Sequence, residues 1–223
     1  MSAASPLEAK PWVTALVVAT GMQAILAAMT RALPVIGPAA TSLAGVSPEK
    51  VGYLAALSSF GTMVCLLVGA PLLRRYGPVR MLQAGAVLSG VAMLLGASGT
   101  WTAFLVGSFA VGIGYAPSAP AGSEILLQRA PRHRRSLMFS IKQSGVPLGG
   151  VIAGAMLPPL LLWGGVPAAM IGSALLAFAG AIVVQPWRAG IDVASIARTE
   201  LRLSPRAAVL ALAGPFRTIL ADR

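Results

Sequence analysis

Six long apolar runs dominate this chain, at 12–33, 51–73, 81–98, 101–127, 137–162 and 166–185. An α-helix rises 1.5 Å per residue, so about 20 apolar residues cross the ~30 Å hydrocarbon core of a bilayer. The runs are rich in Ala, Leu and Gly and show no alternation of period two, which points to helices rather than strands. Composition agrees. The 223 residues are 57% hydrophobic and only 10% charged, against about 25% charged in a soluble domain. Mean hydropathy is +0.81, more apolar surface than a soluble core of this length can bury. The fold class expected is all-α, a polytopic membrane protein with six transmembrane helices.

The gaps between the runs fix an orientation. Ser98-Gly99-Thr100 and Trp163-Gly164-Gly165 carry no charge, whereas Arg74, Arg75 and Arg80 fill the second gap and Arg129, Arg132, Arg134 and Arg135 the fourth. Lys and Arg near span ends are retained on the cytoplasmic side, so both basic gaps and both termini are expected inside. Lys50 runs against this pattern and is offset by Glu49 beside it. Trp12, Trp101, Trp163 and Trp187 fall at run ends, where indole favours the membrane interface. Residues 1–186 form the expected bundle. Residues 187–223 form a basic tail with Arg188, Arg198, Arg202, Arg206, Arg217 and Arg223.

Several classes drop out. The net charge of +11 could suit a nucleic acid, but the basic residues sit in short gaps and a tail, with no aromatic-interleaved basic face. The first run, preceded by Lys10, is longer than a signal-peptide core and contains Gln23 and Arg31. The single cysteine, Cys65, lies in an apolar run as a small packing residue. No metal-ligand cluster or nucleotide-binding glycine loop occurs, and neither a cofactor nor a metal is expected.

Three stretches carry a resemblance. The 70–82 gap reads APLLRRYGPVRML, the fourth run contains SFAVGIG, and the fifth contains GVPLGG. In position and make-up these are similar to three patterns of the major facilitator superfamily of secondary transporters. The loop pattern G-x-x-x-D-[RK]-x-G-[RK]-[RK] sets Ala70 at its first glycine, Arg74 at its aspartate, Arg75 at its basic position and Gly77 at its second glycine. Pro78 and Val79 replace its final basic pair, and Arg80 follows. The acid that the family uses in an inner-gate charge network is therefore absent from this loop. Against R-x-x-x-G-x-G, Ser108 stands at the arginine, with Gly112 and Gly114 matching. Against G-P-x-x-G-G, the chain offers Gly145, Pro147, Gly149 and Gly150 with the proline displaced by one. On the residues alone, Gly145/Gly149 and Gly150/Gly154 are GxxxG pairs for close helix packing, and Pro147 is a point of bending.

The resemblance implies one six-helix half of a twelve-helix carrier in the cell membrane. A second half or partner half would be missing, the lipid bilayer and a small-molecule substrate would be its partners, and a proton its coupling ion. A self-pairing half-sized carrier is the alternative. An enzyme is the rival class: Gly96-Ala97-Ser98-Gly99 matches the GxSG of rhomboid-type intramembrane proteases. That chemistry needs a histidine to activate the serine, and the one histidine, His133, lies in a basic gap on the opposite membrane face.

Polar residues inside apolar runs mark candidate sites. Ser108, Tyr115 and Ser118 share a face of the fourth run with Gly122, beside Pro117 and Pro120. Glu124, Lys142 and Gln143 fall at similar depth near the cytoplasmic ends of runs four and five, where Glu124 and Lys142 are candidates either for a salt bridge or snorkelling at the interface or for a gate latch or coupling pair. Thr20, Gln23, Ala27 and Arg31 follow i, i+3, i+7, i+11 spacing and fall along one face of the first run. Arginine holds a permanent charge and a forked donor suited to carboxylate or phosphate. Arg31 is therefore the expected charge partner of a small anion, with Gln23 as hydrogen-bond donor; the alternative is that Arg31, near the outer end of the run, snorkels to the surface. Efflux of amphipathic compounds is the alternative.

Overall fold

The computed structural model describes residues 11–196, apart from the side chains of Ala70, Arg74 and 193–196. Among these residues there are eight α-helices, two short 3-10 turns and no strand. The helices are α1 (Pro11–Leu43), α2 (Val51–Tyr76), α3 (Pro78–Gly96), α4 (Trp101–Tyr115), α5 (Ser118–Arg129), α6 (Arg135–Gln143), α7 (Gly145–Val183) and α8 (Gln185–Ile196). Five helical stretches are long and apolar enough to cross a membrane: Pro11–Leu43, Pro48–Gly69, Pro78–Gly96, Trp101–Arg129 and Arg132–Val183. The molecule is an all-α, multi-pass membrane protein. The part of the basic tail beyond residue 196 lies outside the described residues.

The last stretch, 52 residues long, would span about 80 Å as a straight helix, more than twice the hydrocarbon thickness. It is not straight. Gly164 (φ −144°, ψ 18°) and Gly165 (φ 66°, ψ −159°) leave the helical region within the uncharged gap of the sequence. Gly165 has positive φ, which side chains resist and glycine accepts. Gly149 and Gly180 each lie fifteen residues from this break (164 − 149 and 180 − 165), and both abut the same level of α1. A Cβ at Gly149 would meet Ala24 O at 2.5 Å, and one at Gly180 would meet Ile25 Cδ1 at 2.5 Å. Residues placed symmetrically about the break and level with each other mean that the chain reverses there, giving two antiparallel arms, 145–163 and 166–183.

α1 is the centre of the bundle and packs most extensively on α7. Its buried stripe includes Met22, Leu26, Met29 and Ile36. Glycine lets the neighbours come close. A Cβ at Gly145 would meet Thr20 O at 2.8 Å, one at Gly112 would strike the Ser58 carbonyl, and Gly85 and Gly114 abut each other's backbones. Gly145 and Gly149 therefore do pack as a GxxxG pair, against α1, whereas a Cβ at Gly150 or Gly154 would meet nothing within 4 Å. Large apolar side chains along α2, among them Phe60, Met63, Leu66 and Leu67, are exposed.

Helix ends differ from the apolar runs in three places. α1 continues ten residues past the first run, through Pro34 and Pro38. Proline removes a ladder hydrogen bond but is accommodated in membrane helices where neighbours and hydroxyls re-satisfy the backbone. The fourth run is interrupted at Ala116–Pro117, giving α4 and α5. The fifth is interrupted at Ser144, so that Pro147 sits in the first turn of α7, where its missing N–H is needed least.

Candidate functional site

A cleft of about 350 Å³ opens among α1, α2, α4 and the first arm of α7. Its walls are Thr30, Arg31 and Pro34 from α1, Ala55, Ser58, Ser59 and Thr62 from α2, Tyr115 from the end of α4, and Val146 from α7. Arg31 lies twenty residues from Pro11 and twelve from Leu43, in the second half of an unusually long helix. Its side chain is exposed, and no described residue makes a hydrogen bond or ion pair with its guanidinium. Five donors and a fixed charge thus face a cleft otherwise bordered by hydroxyls and small apolar groups.

The hydroxyls divide into fixed and free. Thr30 Oγ1 donates to Ala27 O at 2.9 Å within its own helix. Thr62 Oγ1 lies 3.0 Å from Ser58 O and 2.9 Å from Gly112 O, so its proton ties α2 to α4 and its lone pairs are left as acceptors. Ser59 is exposed and Tyr115 half-buried. Chemically, the cleft offers one fork of positive charge, hydroxyl groups able to give or take a hydrogen bond, and an apolar floor. That suits a small anion carrying an apolar body. It has no paired acids and no nucleophile with a base, and among the described residues no group of three metal-ligating side chains occurs.

The structure brings Arg31 and Tyr115 together in this cleft. It does not bring the other stripe residues there. Gln23, Ser108 and Ser118 are each 1% exposed, and Gln23 Oε1, Ser108 Oγ, Ser118 Oγ and Thr20 Oγ1 are buried without hydrogen-bond partners. Ser108 and the pair Gly112 and Gly114 lie in helix contacts of α4. Ser58, Ser59 and Thr62 are wall residues that the sequence pattern did not mark. They form a short SSFGT element inside a long apolar run, with no charge to draw attention to it.

Glu124 and Lys142 are not paired in this structure. Gln128 Nε2 donates to Glu124 Oε1 at 2.7 Å, while Lys142 Nζ donates to Ala119 O at 3.1 Å and Ser123 Oγ at 3.4 Å. Gln143, next to Lys142, is exposed.

The basic gap between α2 and α3 holds an unexpected acid. Gly77 (φ 88°, ψ 157°) ends α2 and turns the chain, and Pro78 opens α3. Asp192, from α8, reaches into the turn. Its Oδ1 accepts from Val79 N at 2.8 Å and its Oδ2 from Arg80 N at 3.2 Å. A Cβ at Gly77 would meet Asp192 Cγ at 2.7 Å, so only glycine leaves room for this carboxylate. Asp192 is 4% exposed. Burial pushes its carboxyl above the ordinary carboxylate range, opposed by the two backbone N–H groups and by Arg188 and Arg80. An acid is thus present at this gap, supplied from α8 rather than from the loop. Arg75 and Arg80 are exposed, with Arg75 lying 5.4 Å from the Tyr76 ring centroid. The side chain of Arg74 lies outside the described residues.

These features define a class: a multi-pass helical membrane protein with a small polar cleft between helices. Comparison with known proteins makes this specific. The profile of the Major Facilitator Superfamily matches residues 12–223, and the chain belongs to that family. It is similar to "Probable anion transporter 3, chloroplastic" of Arabidopsis thaliana, 29% identical over 169 residues, covering 71% of this chain and 32% of that protein. It is also similar to "4-hydroxybenzoate transporter PcaK" of Pseudomonas aeruginosa, 28% identical over 157 residues, covering 66% of this chain and 35% of that protein. The matched segment spans about a third of each of these relatives. Both relatives are named as transporters.

Proposed function

We propose that this chain is one half of a secondary active carrier for small anions, and that the Arg31 cleft is its share of the substrate site. The observation carrying the reading is the guanidinium of Arg31, paired with no described residue in a hydroxyl-bordered cleft at the meeting of α1, α2, α4 and α7. An arginine near the middle of a membrane span costs about 3 kcal/mol on insertion scales, a cost that an anionic ligand would offset. The fork grips carboxylate or phosphate oxygens, and the Ser59 and Tyr115 hydroxyls complete the shell. The substrates in the relatives' names, an anion and 4-hydroxybenzoate, support the same class.

In this reading the two arms of α7 are separate spans. The bundle then has six crossings, the basic gaps and both termini face the cytoplasm of a cell membrane, and a second six-helix half closes the pathway. Protons supply the coupling. The test is anion uptake by the complete carrier bearing Arg31→Lys or Arg31→Gln, at equal membrane levels. Uptake of 4-hydroxybenzoate or inorganic phosphate is expected to fall at least tenfold in Arg31→Gln, about 1.4 kcal/mol of lost interaction, and to fall in Arg31→Lys through loss of the fork. Unchanged uptake in Arg31→Gln removes Arg31 from the site and the anion assignment with it.

A further inference from the structure

A second cation lies below this cleft, and no described acid pairs with it. Lys142 is 3% exposed. Its ammonium has three donors, and the two hydrogen bonds it makes go to neutral oxygens, Ala119 O and Ser123 Oγ. Ser123 Oγ in turn donates to Ala119 O at 2.7 Å, so it offers Lys142 no negative charge. Glu124, the nearest acid in sequence, is engaged by Gln128. A buried ammonium without a counter-charge is strongly unfavourable, and inside a membrane protein such a group marks a place where a partner arrives.

Position says which partner. Lys142 precedes the cleft residue Val146 by four residues, one helical turn, and Ala119 follows the cleft residue Tyr115 by four. α1 runs alongside, with Gly145 against Thr20 O and Gln23 Cβ, and Gly122 against Lys142 Cε and Ala19 Cβ. All three walls therefore step from the cleft to the Lys142 level in the same direction. Between the two levels both flanking helices are interrupted, α4 from α5 at Ala116–Pro117 and α6 from α7 at Ser144. The covering residue, Ala119, is exposed. Two side chains at this level, Gln23 and Ser118, are 1% exposed and carry polar atoms without partners.

We propose that Lys142 is a second anion station, one turn below the Val146 and Tyr115 edge of the cleft and two to three turns of α1 below Arg31, to which a carboxylate- or phosphate-bearing cargo passes when the segment at Ala119–Ser123 moves aside. The inference rests on the anion-carrier reading above, and the two can fail separately. The experiment uses the purified complete carrier in lipid nanodiscs, with benzoate and inorganic phosphate as probes and thermal unfolding followed by tryptophan fluorescence. Wild type is expected to be stabilised by either anion. Lys142→Gln is expected to unfold at higher temperature than wild type without anion, because a neutral amide needs no counter-charge, and to require about tenfold more anion for the same stabilisation. Lys142→Arg keeps the charge and is expected to keep the response. A lysine held only for structure predicts the reverse for Lys142→Gln, a lower unfolding temperature with an unchanged anion response, and that result overturns the proposal. Loss of response in Arg31→Gln with a full response in Lys142→Gln sinks the second station alone. The opposite pattern sinks the Arg31 site alone, and absence of any anion response in wild type sinks both. Should Lys142→Gln not fold, acetylation in the wild-type chain provides the second measure. Either anion is expected to slow modification of Lys142 severalfold while leaving Lys50 unchanged, and equal rates at Lys142 with and without anion overturn the proposal.

Discussion

At the residue scale, adjacent glycines in this bundle have opposite environments. Gly149 is pressed against α1, where a methyl would meet Ala24 O at 2.5 Å and Ala27 Cβ at 2.6 Å, and backbone cannot swing aside to admit it. At Gly150 the same methyl meets nothing within 4 Å. Gly149→Ala is therefore expected to force the first arm of α7 away from α1, destabilising the fold by about 1–3 kcal/mol, the usual cost of overpacking. Gly150→Ala is expected to be neutral or slightly stabilising, since alanine is the better helix former. Thermal unfolding of both variants in one detergent checks this, and equal effects would refute it. The GVPLGG stretch announced close packing in the sequence, but not which glycine faced the neighbour. One-residue steps turn a helix by about 100°, and no apolar period marks the face in a helix hydrophobic all round. The same physics hid Ser58, Ser59 and Thr62, whereas Arg31 was legible because a charge stands out in an apolar run.

At the scale of elements, the apolar runs were legible from length and hydropathy, because lipid requires each crossing to satisfy its own backbone. Breaks inside them were not. Pro34 and Pro38 leave α1 continuous, while Pro117 and Pro147 accompany interruptions, and the difference lies in local partners that sequence does not display. The contact between α8 and the α2–α3 turn was equally hidden, since Asp192 lies 113 residues from Val79 and in a segment that reads as tail. It carries a pH prediction. Burial raises the Asp192 carboxyl above its ordinary value despite the two backbone donors and nearby arginines. A group whose folded pKa exceeds its unfolded one takes up a proton on folding. Its contribution is greatest below the unfolded value and is lost as pH rises through the raised one. Asp192→Asn removes that titration while keeping an acceptor for Val79 N. The stability of wild type relative to Asp192→Asn is expected to fall as pH rises from the ordinary carboxylate value through the raised one. Melting curves of the two proteins over that range check it, and a constant difference would show that Asp192 titrates alike in both states.

At the scale of the whole molecule, charge and the α7 reversal bear on one question, the number and direction of crossings. The described residues contain five apolar stretches of sufficient length, and the last is two antiparallel arms joined at Gly164–Gly165. If each arm crosses, there are six passages. The uncharged turns at Gly99 and Gly164 then share one face, and the basic gaps around Gly77 and Arg134 share the other. The packing of α1 is compatible with this, because both arms meet it at the level of Ala24 and Ile25, far from the turn between them. An alternative with the 52-residue stretch as a single passage would place Arg132, Arg134 and Arg135 opposite to Arg188, separating basic clusters that insertion normally keeps together. Fusions of a cytoplasm-dependent reporter after Gly77 and after Arg134 are therefore expected to be active. Fusions after Gly99 and after Gly164 are expected to be silent, and a fusion after Arg188 active again. Activity at Gly164 would mean that the two arms do not each cross, and would leave the α7 hairpin as a re-entrant element buried within the bundle.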